Sequence, residues 1–428
     1  MSEAHLAVVI FVITYTLIVS ERMHKTTAAL AGAMAMILFK ILPVEAAWEA
    51  IDLNVIFLLT GMMIIANTMA STGVFQWLAV RAAKAAGGSP SGVLVILCAV
   101  TAVFSAFLDN VTTVVLIAPV ALVVARALDV NPVPGLIAIA LASNIGGTTT
   151  LIGDPPNILI ASHAGIDFMT FLTSVGPVAI LTLVAFLAAA AVIGRRREPG
   201  SAQHRARVMA MDHSGLITDP GLLRISIGVL VLVILGFVFQ GVLGYEPAAV
   251  ALFGGVLVLV ITRRDPHHEL VQIEWSTLFF FIGLFIVVGG LETTGVLEAV
   301  GERAVDLTQG SLPRSLFLVL WMSAGLSGVV DNIPYTATML PILDELNADL
   351  IAHGHPSNAI WWALAVGADM GGNLTIIGAS ANVLIANISE RNGHHITFFE
   401  FFKWGLPTTL GSMVIASIYF WLRYIAFA

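Results

Sequence analysis

Asn144 to Ala161 reads NIGGTTTLIGDPPNILIA, with three Gly, two Pro, three Thr, two Asn and one Asp. A second copy, DMGGNLTIIGASANVLIA, begins at Asp369 and places Gly371 opposite Gly146 at a shift of 225 positions. Both lie in a chain of 428 residues that is 58% hydrophobic and only 11% charged, with a mean hydropathy of +0.95. A soluble domain carries about a quarter charged residues. The apolar runs, at about 20 residues, can cross a bilayer as helices and lack the alternation of an outer-membrane barrel. The chain reads as an all-α polytopic membrane protein, and each Gly-, Asn- and Thr-rich stretch predicts a helix broken at membrane depth.

Outward from these stretches the duplication continues. IDLNVIFLLTGMMIIANTMASTGVFQWLA from Ile51 resembles IEWSTLFFFIGLFIVVGGLETTGVLEAVG from Ile273, and SAFLDNVTT places Asp109 and Asn110 opposite Asp331 and Asn332 of SGVVDNIPY, both at a shift of 222. In the first half the segments fall near 5–20, 25–42, 54–84, 89–128, 133–162 and 170–194. The stretch 89–128 is too long for one crossing and too short for two with a loop, and is interrupted by SAFLDN; a re-entrant hairpin fits it. Its counterpart is 313–350, and the broken helices are 133–162 and 357–390. The expected organisation is a first repeat over 1–200, a cytoplasmic linker over 201–219 and a second repeat over 220–428. Five crossings per half, an odd number, invert the second repeat relative to the first.

Charge placement agrees with the inversion. SERMHK, RAAKAAGG, RRREPGSAQHRAR, ITRRDPHHE and SERNGHHITFFEFFK fall on one side; PVEAAWEAID, SHAGID, GVLGYEP and DELNADLIAHGH fall on the other, with Arg303 and Arg314 as the exceptions. The basic side is expected to be cytoplasmic, in the cell membrane, with both termini outside. The opening MSEAH lacks the basic stretch of a cleavable signal, so His5 to Val19 reads as the first span. The hydrophilic stretch Gly194 to Pro220 reads as a loop, there is no GxxxxGK[ST] motif, and the lone Cys98 offers neither disulfide nor thiolate cage. No cofactor, metal site or nucleic-acid partner is expected. An ion gradient or a separate ATPase subunit would have to power any pumping.

Inverted repeats with broken helices at mid-membrane are the architecture of secondary transporters, and the breaks mark where a solute binds. Half-helix N-termini offer positive dipole ends and half-helix C-termini offer carbonyl oxygens. Asp109, Asp331, Asn144 and Asn157 also read as caps, with Pro155 and Pro156 at a helix start. Yet Asp109, Asp154, Asp331 and Asp369 all sit within breaks, where an Asp at the bilayer centre costs about 2.5–3.5 kcal/mol on the mildest scale. These four are the candidate proton-coupling carboxyls. Asp154 stands opposite Ala379, and Asp369 opposite Asn144; Asp154 and Asp369 are therefore expected to be specialised, with Asp109 and Asp331 as a shared frame. Gly146, Thr148, Asn373 and Ser380 join the candidate solute- and ion-binding residues. Between Phe104 and Ala161 the only cation is Arg126, and from Ser327 to Ser389 only His353 and His355 occur. Since an obligate anion site recruits Arg or Lys, this favours a neutral or cationic solute.

Elsewhere, Glu292 and Glu298 read as solvated interface positions and His163 as a helix-end residue. Trp361 and Trp362 suit an interfacial belt, and Phe75 to Ala86 and Leu297 to Leu307 read as amphipathic surface helices.

FLDNVTTVVLIAPV and SNIGGTTTLIGDPPNILIAS, echoed by VVDNIPYTATMLPI and GADMGGNLTIIGASANVLIA, resemble the ArsB/P-protein permeases of the ion-transporter superfamily over nearly the whole chain. That group includes arsenite/antimonite exporters, the melanosomal P protein, silicon effluxers and, more distantly, NhaD-type sodium/proton antiporters and divalent-anion symporters. The resemblance implies a homodimer whose protomers each have a scaffold and a transport unit moving as an elevator. It carries a binding role onto Asn110, Asn144, Asp154, Asn157, Asn332, Asp369 and Asn382. The expected function is proton-coupled export of arsenite, antimonite or a similar small hydroxylated solute, with Na+/H+ exchange or P-protein-like small-anion transport as alternatives. With one Cys the chain cannot bind arsenic through three thiolates, so it would bind neutral As(OH)3 through carbonyls, Asn and Asp. An intramembrane aspartyl protease is a remote alternative, because LIGD has Leu151 where the GxGD signature needs Gly.

Overall fold

The computed structural model describes residues 2–20, 22–195, 202–212, 214–355 and 358–426. The expected boundary at 200 and 201, the basic residues Arg196 and Arg197, and position 357 at the start of the second broken helix lie outside them. Among the described residues every regular element is helical.

The first repeat opens with α1 (Glu3–Val19) and α2 (Lys25–Leu38), a short α3 (Val44–Glu49), and α4 (Leu53–Ala70), whose N-cap Asp52 accepts from the backbone N–H groups of Asn54 and Val55. The amphipathic α5 (Val74–Ala85) follows a left-handed Gly73 and buries one face through Phe75, Ala79 and Ala83. A hairpin is formed by α6 (Pro90–Ser105) and α7 (Asn110–Leu128), a broken helix by α8 (Val133–Gly147) and α9 (Pro155–Ala164), and the half ends with the long α10 (Phe168–Arg195). After α11 (Ala202–Met209), the second half repeats the plan as α12 (Pro220–Val238), a short α13 (Gln240–Leu243), α14 (Pro247–Thr262), a short α15 (Pro266–Val271), α16 (Trp275–Thr293) and the amphipathic α17 (Val296–Thr308). The second hairpin is α18 (Leu312–Ser327) with α19 (Asn332–Ala352), the second broken helix α20 (Ala359–Gly371) with α21 (Ser380–Arg391), and α22 (Phe398–Trp421) closes the chain, running into a π-helical turn, Leu422–Ala426.

Two packed groups emerge. In one, α4 lies against α14 and α2 against α16, with α1 on α2 and α12 on α14. In the other each hairpin packs on its own broken helix, α6 on α8 and α18 on α20, while α7 meets α21 and α10 meets α22. The exposed apolar residues of α10, α12 and α14, such as Val184, Val231 and Phe253, form the kind of outer surface that lipid covers. Every residue of α20 and all but two of α8 are buried, as expected of helices apolar on all sides.

Two sequence readings need correction. Trp361 and Trp362 are 2% and 3% exposed; their rings pack on His163 and Phe171 within α20's core position rather than forming a belt. The stretch Gly194 to Pro220 contains a helix, α11, where a loop was expected. Glu292 and Glu298 are exposed, and His163 sits at the end of α9, 2.8 Å from Asp344, as the sequence indicated.

Candidate functional site

The two hairpin tips meet the two helix breaks in one buried cluster of amides and carboxyls. Asp109 and Asp331 are the N-caps of α7 and α19: Asp109 accepts from the backbone N–H of Thr112 at 2.8 Å and Asp331 from that of Ile333 at 3.1 Å. Asn157 caps as the sequence suggested, at the far end of α8, where its amide reaches the Gly147 carbonyl, whereas the capping reading fails for Asn144, whose side chain turns into the cluster. Each break is tied to its own hairpin by a hydroxyl, the Thr150 side chain donating to the Ala106 carbonyl and Thr375 to that of Gly328.

The breaks are pinched shut by glycine. A Cβ on Gly153 would stand 2.4 Å from the Gly147 carbonyl oxygen, and one on Gly378 would stand 2.7 Å from that of Gly372, so each loop closes backbone on backbone. Gly146 has the same kind of role: a Cβ there would lie 2.2 Å from the Ala102 oxygen. It permits close approach of α8 to α6, which differs from the ligand-binding role the sequence assigned it.

Asp154 precedes two prolines, which have no N–H to cap, and its side chain caps nothing. It instead joins the hairpins: its two carboxylate oxygens accept from Asn110 at 2.8 Å and Asn332 at 3.3 Å. It is 1% exposed and lies close enough to Asp369 to be repelled by it. Asn144 accepts from Asn110 at 3.2 Å and donates to Asn373 at 3.1 Å and Asn382 at 3.0 Å, so it spans the two breaks. The Thr148 hydroxyl turns back to the Asn144 carbonyl at 2.9 Å.

The pseudo-symmetry isolates one residue. The Asn382 amide donates to the Gly372 and Thr375 carbonyls, and its oxygen receives the Asn144 amide. Its counterpart Asn157 donates to the Gly147 and Thr150 carbonyls in the same way, but its oxygen has no donor. The residue standing where Asn144 stands is Asp369, 0% exposed, with neither carboxyl oxygen partnered by hydrogen-bonding geometry although Asn157 and Thr148 lie beside it. A carboxylate offers no hydrogen to the Asn157 oxygen. A protonated Asp369 offers one, and thereby restores the bond its twin already makes.

Thus Asn110, Asn144, Asp154, Asn157, Asn332, Asp369, Asn373 and Asn382 form the cluster, while Asp109 stays on its cap. Asp331 and Ser380 lie at its edge and bring in a residue that sequence reasoning missed. Lys25, the first residue of α2, places its Nζ 3.2 Å from Asp331 Oδ2 and 2.5 Å from Ser380 Oγ. The cation-poor windows around the breaks contained no sign of it, because the lysine arrives from more than three hundred positions away. The site has a fixed positive charge after all. Among the described residues no group of three or more His, Cys, Asp or Glu side chains is arranged to hold a metal ion.

Residues 15–367 match the family model described as "Citrate transporter". An uncharacterized transporter of Mycobacterium tuberculosis is 47% identical over 430 residues, covering 98% of both chains, and a 46 kDa membrane protein of Mycobacterium leprae is 42% identical over 424. The P protein of Homo sapiens is 31% identical over 500 residues, which covers 98% of this chain and 60% of that protein. Among solved structures, the YdaH transporter of Alcanivorax borkumensis shares the fold with a TM-score of 0.60 at 14% identity, over 89% of this chain and 87% of that one.

Proposed function

The chain belongs to the citrate-transporter family of membrane transporters, within the ion-transporter superfamily, and from that premise we propose that it is a proton-coupled secondary transporter of a small hydroxylated solute, with uncharged As(OH)3 as the model cargo. The observation that carries this reading is a buried Asp369 carboxyl and a buried Asn157 oxygen, both unpartnered, on neighbouring side chains. Two neighbouring buried carboxyls repel one another, so a proton or a bound solute hydroxyl is needed to complete the cluster. An array of amides and carboxyls can donate to and accept from hydroxyl groups without demanding a charge on the cargo. In the mechanism we propose, α6–α10 and α18–α22 move as one unit against a scaffold of α1, α2, α4, α12, α14 and α16. Asp154 and Asp369 carry the protons, and Asp109 and Asp331 hold the hairpin tips. The Lys/Arg-rich end faces the cytoplasm and both termini face outward. The protein works as a homodimer, checked by the mass of the detergent-solubilised protein.

Lys25 favours a second reading, a carboxylate anion of the kind named in the family description, with the ammonium as counter-charge. Proteoliposomes loaded with a pH indicator separate the readings. A proton movement on adding arsenite that disappears in Asp369→Asn supports the first. A response to citrate alone supports the second, and a response to Na+ alone reassigns the protein to cation/proton exchange.

A further inference from the structure

Lys25 and the second hairpin belong to different packed groups, which makes their contact a joint between them. The ammonium donates to Asp331 and Ser380, the Ser380 hydroxyl donates to the same Asp331 oxygen at 2.9 Å, and the Phe280 ring of α16 lies 4.9 Å from Nζ. The side chains of Lys25 and Asp331 are 28% and 10% exposed, so the pair is part-buried. A second contact crosses the same joint, where the Tyr15 hydroxyl of α1 bonds the Pro334 carbonyl at 2.6 Å and the Thr338 hydroxyl at 2.5 Å on α19. The ionisable groups around the ammonium are Asp331 on the tip, Glu274 at the start of α16 and Tyr15 beside Asp331.

Lys25 is at the first turn of α2, at the Lys/Arg-rich end, whereas Asp331 is at the inner end of a re-entrant hairpin. The contact therefore seats the second hairpin tip against the first turn of α2, at that helix's Lys/Arg-rich end. The joint also breaks the internal symmetry. The shifts of 222 and 225 put Pro247 opposite Lys25 and Pro155 opposite Ser380, so the first hairpin has neither the ammonium nor the hydroxyl.

We propose that Lys25 is a tethered ligand of the second hairpin tip, which docks the moving unit at the Lys/Arg-rich end until a cation replaces it on Asp331 and releases the unit. The inference rests on the transporter reading above and on no particular solute. Lys25 is a positioning residue here, acting through Asp331.

The test reads position rather than flux. Tyr15→Cys and Thr338→Cys, in a Cys98→Ala background, report the docked state through a short bifunctional methanethiosulfonate reagent, needed because a cysteine falls short of the tyrosine hydroxyl. In native membranes Lys25→Gln should cross-link at least about threefold more slowly than the parent pair, as expected from losing a part-buried ion pair, and Lys25→Arg should restore most of the rate. Cross-linking of Lys25→Gln at the parental rate overturns the proposal. Should Lys25→Gln not insert stably, Asp331→Asn removes the same pair from the other side, with the same expectation and the same refuting result. A protein that moves none of the solutes tested would sink the transport reading while these rates still decide the role of Lys25.

Discussion

Asp369→Asn gives the second half of the molecule the amide that the first half has at Asn144. The Asn144 amide donates at 3.0 Å to Asn382, and the same geometry repeated at position 369 would give the Asn157 oxygen its missing donor. One net hydrogen bond contributes about 1 kcal/mol, and relief of a buried unsatisfied acceptor adds roughly as much again, so the variant should be about 1–3 kcal/mol more stable than the parent. In a chain of this length each kcal/mol moves the melting midpoint by about 2 °C, so a rise of about 2–6 °C is expected in detergent. The same substitution removes the only group at that position able to take up and release a proton. The assay is therefore double: thermal unfolding by intrinsic fluorescence, and internal pH in proteoliposomes. A more stable protein without proton movement is the expected result. A lower melting midpoint would mean that the carboxyl already has its partner and that the symmetry argument is wrong. Proton movement that survives would remove Asp369 from coupling.

Asp154→Asn should have the opposite effect on stability. It sets an amide hydrogen against one of the two donors, Asn110 or Asn332, and a loss of about 1–2 kcal/mol should appear as a lower melting midpoint, together with lost transport. Gly146→Ala places a methyl 2.2 Å from the Ala102 oxygen and must push α8 from α6; a destabilisation of about 1–3 kcal/mol is expected, read by the same fluorescence assay, and a neutral result would show that the helices can separate freely. At the loop before α10, partial burial raises the Asp167 carboxyl, but hydrogen bonds from the Thr170 hydroxyl and backbone more than reverse this, and the group is held below its ordinary range. Its contribution is thus present above the usual carboxylate range and fades as pH falls through the lowered value; Asp167→Asn should flatten that acid limb of the melting profile, and an unchanged limb would refute the assignment.

What the sequence disclosed was mostly local or periodic. The Asp-Asn tips and the Gly-Gly stretches interrupt apolar runs, and the interruptions coincide with the gaps between α6 and α7, α8 and α9, α18 and α19, and α20 and α21. The internal copy also singled out Asp369 opposite Asn144, although only the structure reveals what the difference means, because the Asn157 oxygen had to be located first. What was illegible was non-local. Lys25 looked like one more basic residue at a helix start, and its partner lies in the other half of the chain. Trp361 and Trp362 have the composition of an interface and the burial of a core, a distinction set by neighbours that share no sequence pattern with them. Gly146 looked like part of a ligand loop, but its missing side chain is what lets two helices touch.

The glycine pinches at the helix breaks also bear on how such a protein could change its cargo. Gly147 against Gly153, and Gly372 against Gly378, leave no room for a side chain, so the course of each loop resists gradual alteration. The side chains that the loops display are under no such restriction: the equivalent positions already differ, Asp154 against Ala379 and Thr148 against Asn373. A lineage built on this fold can exchange one set of displayed groups for another on an unaltered backbone frame.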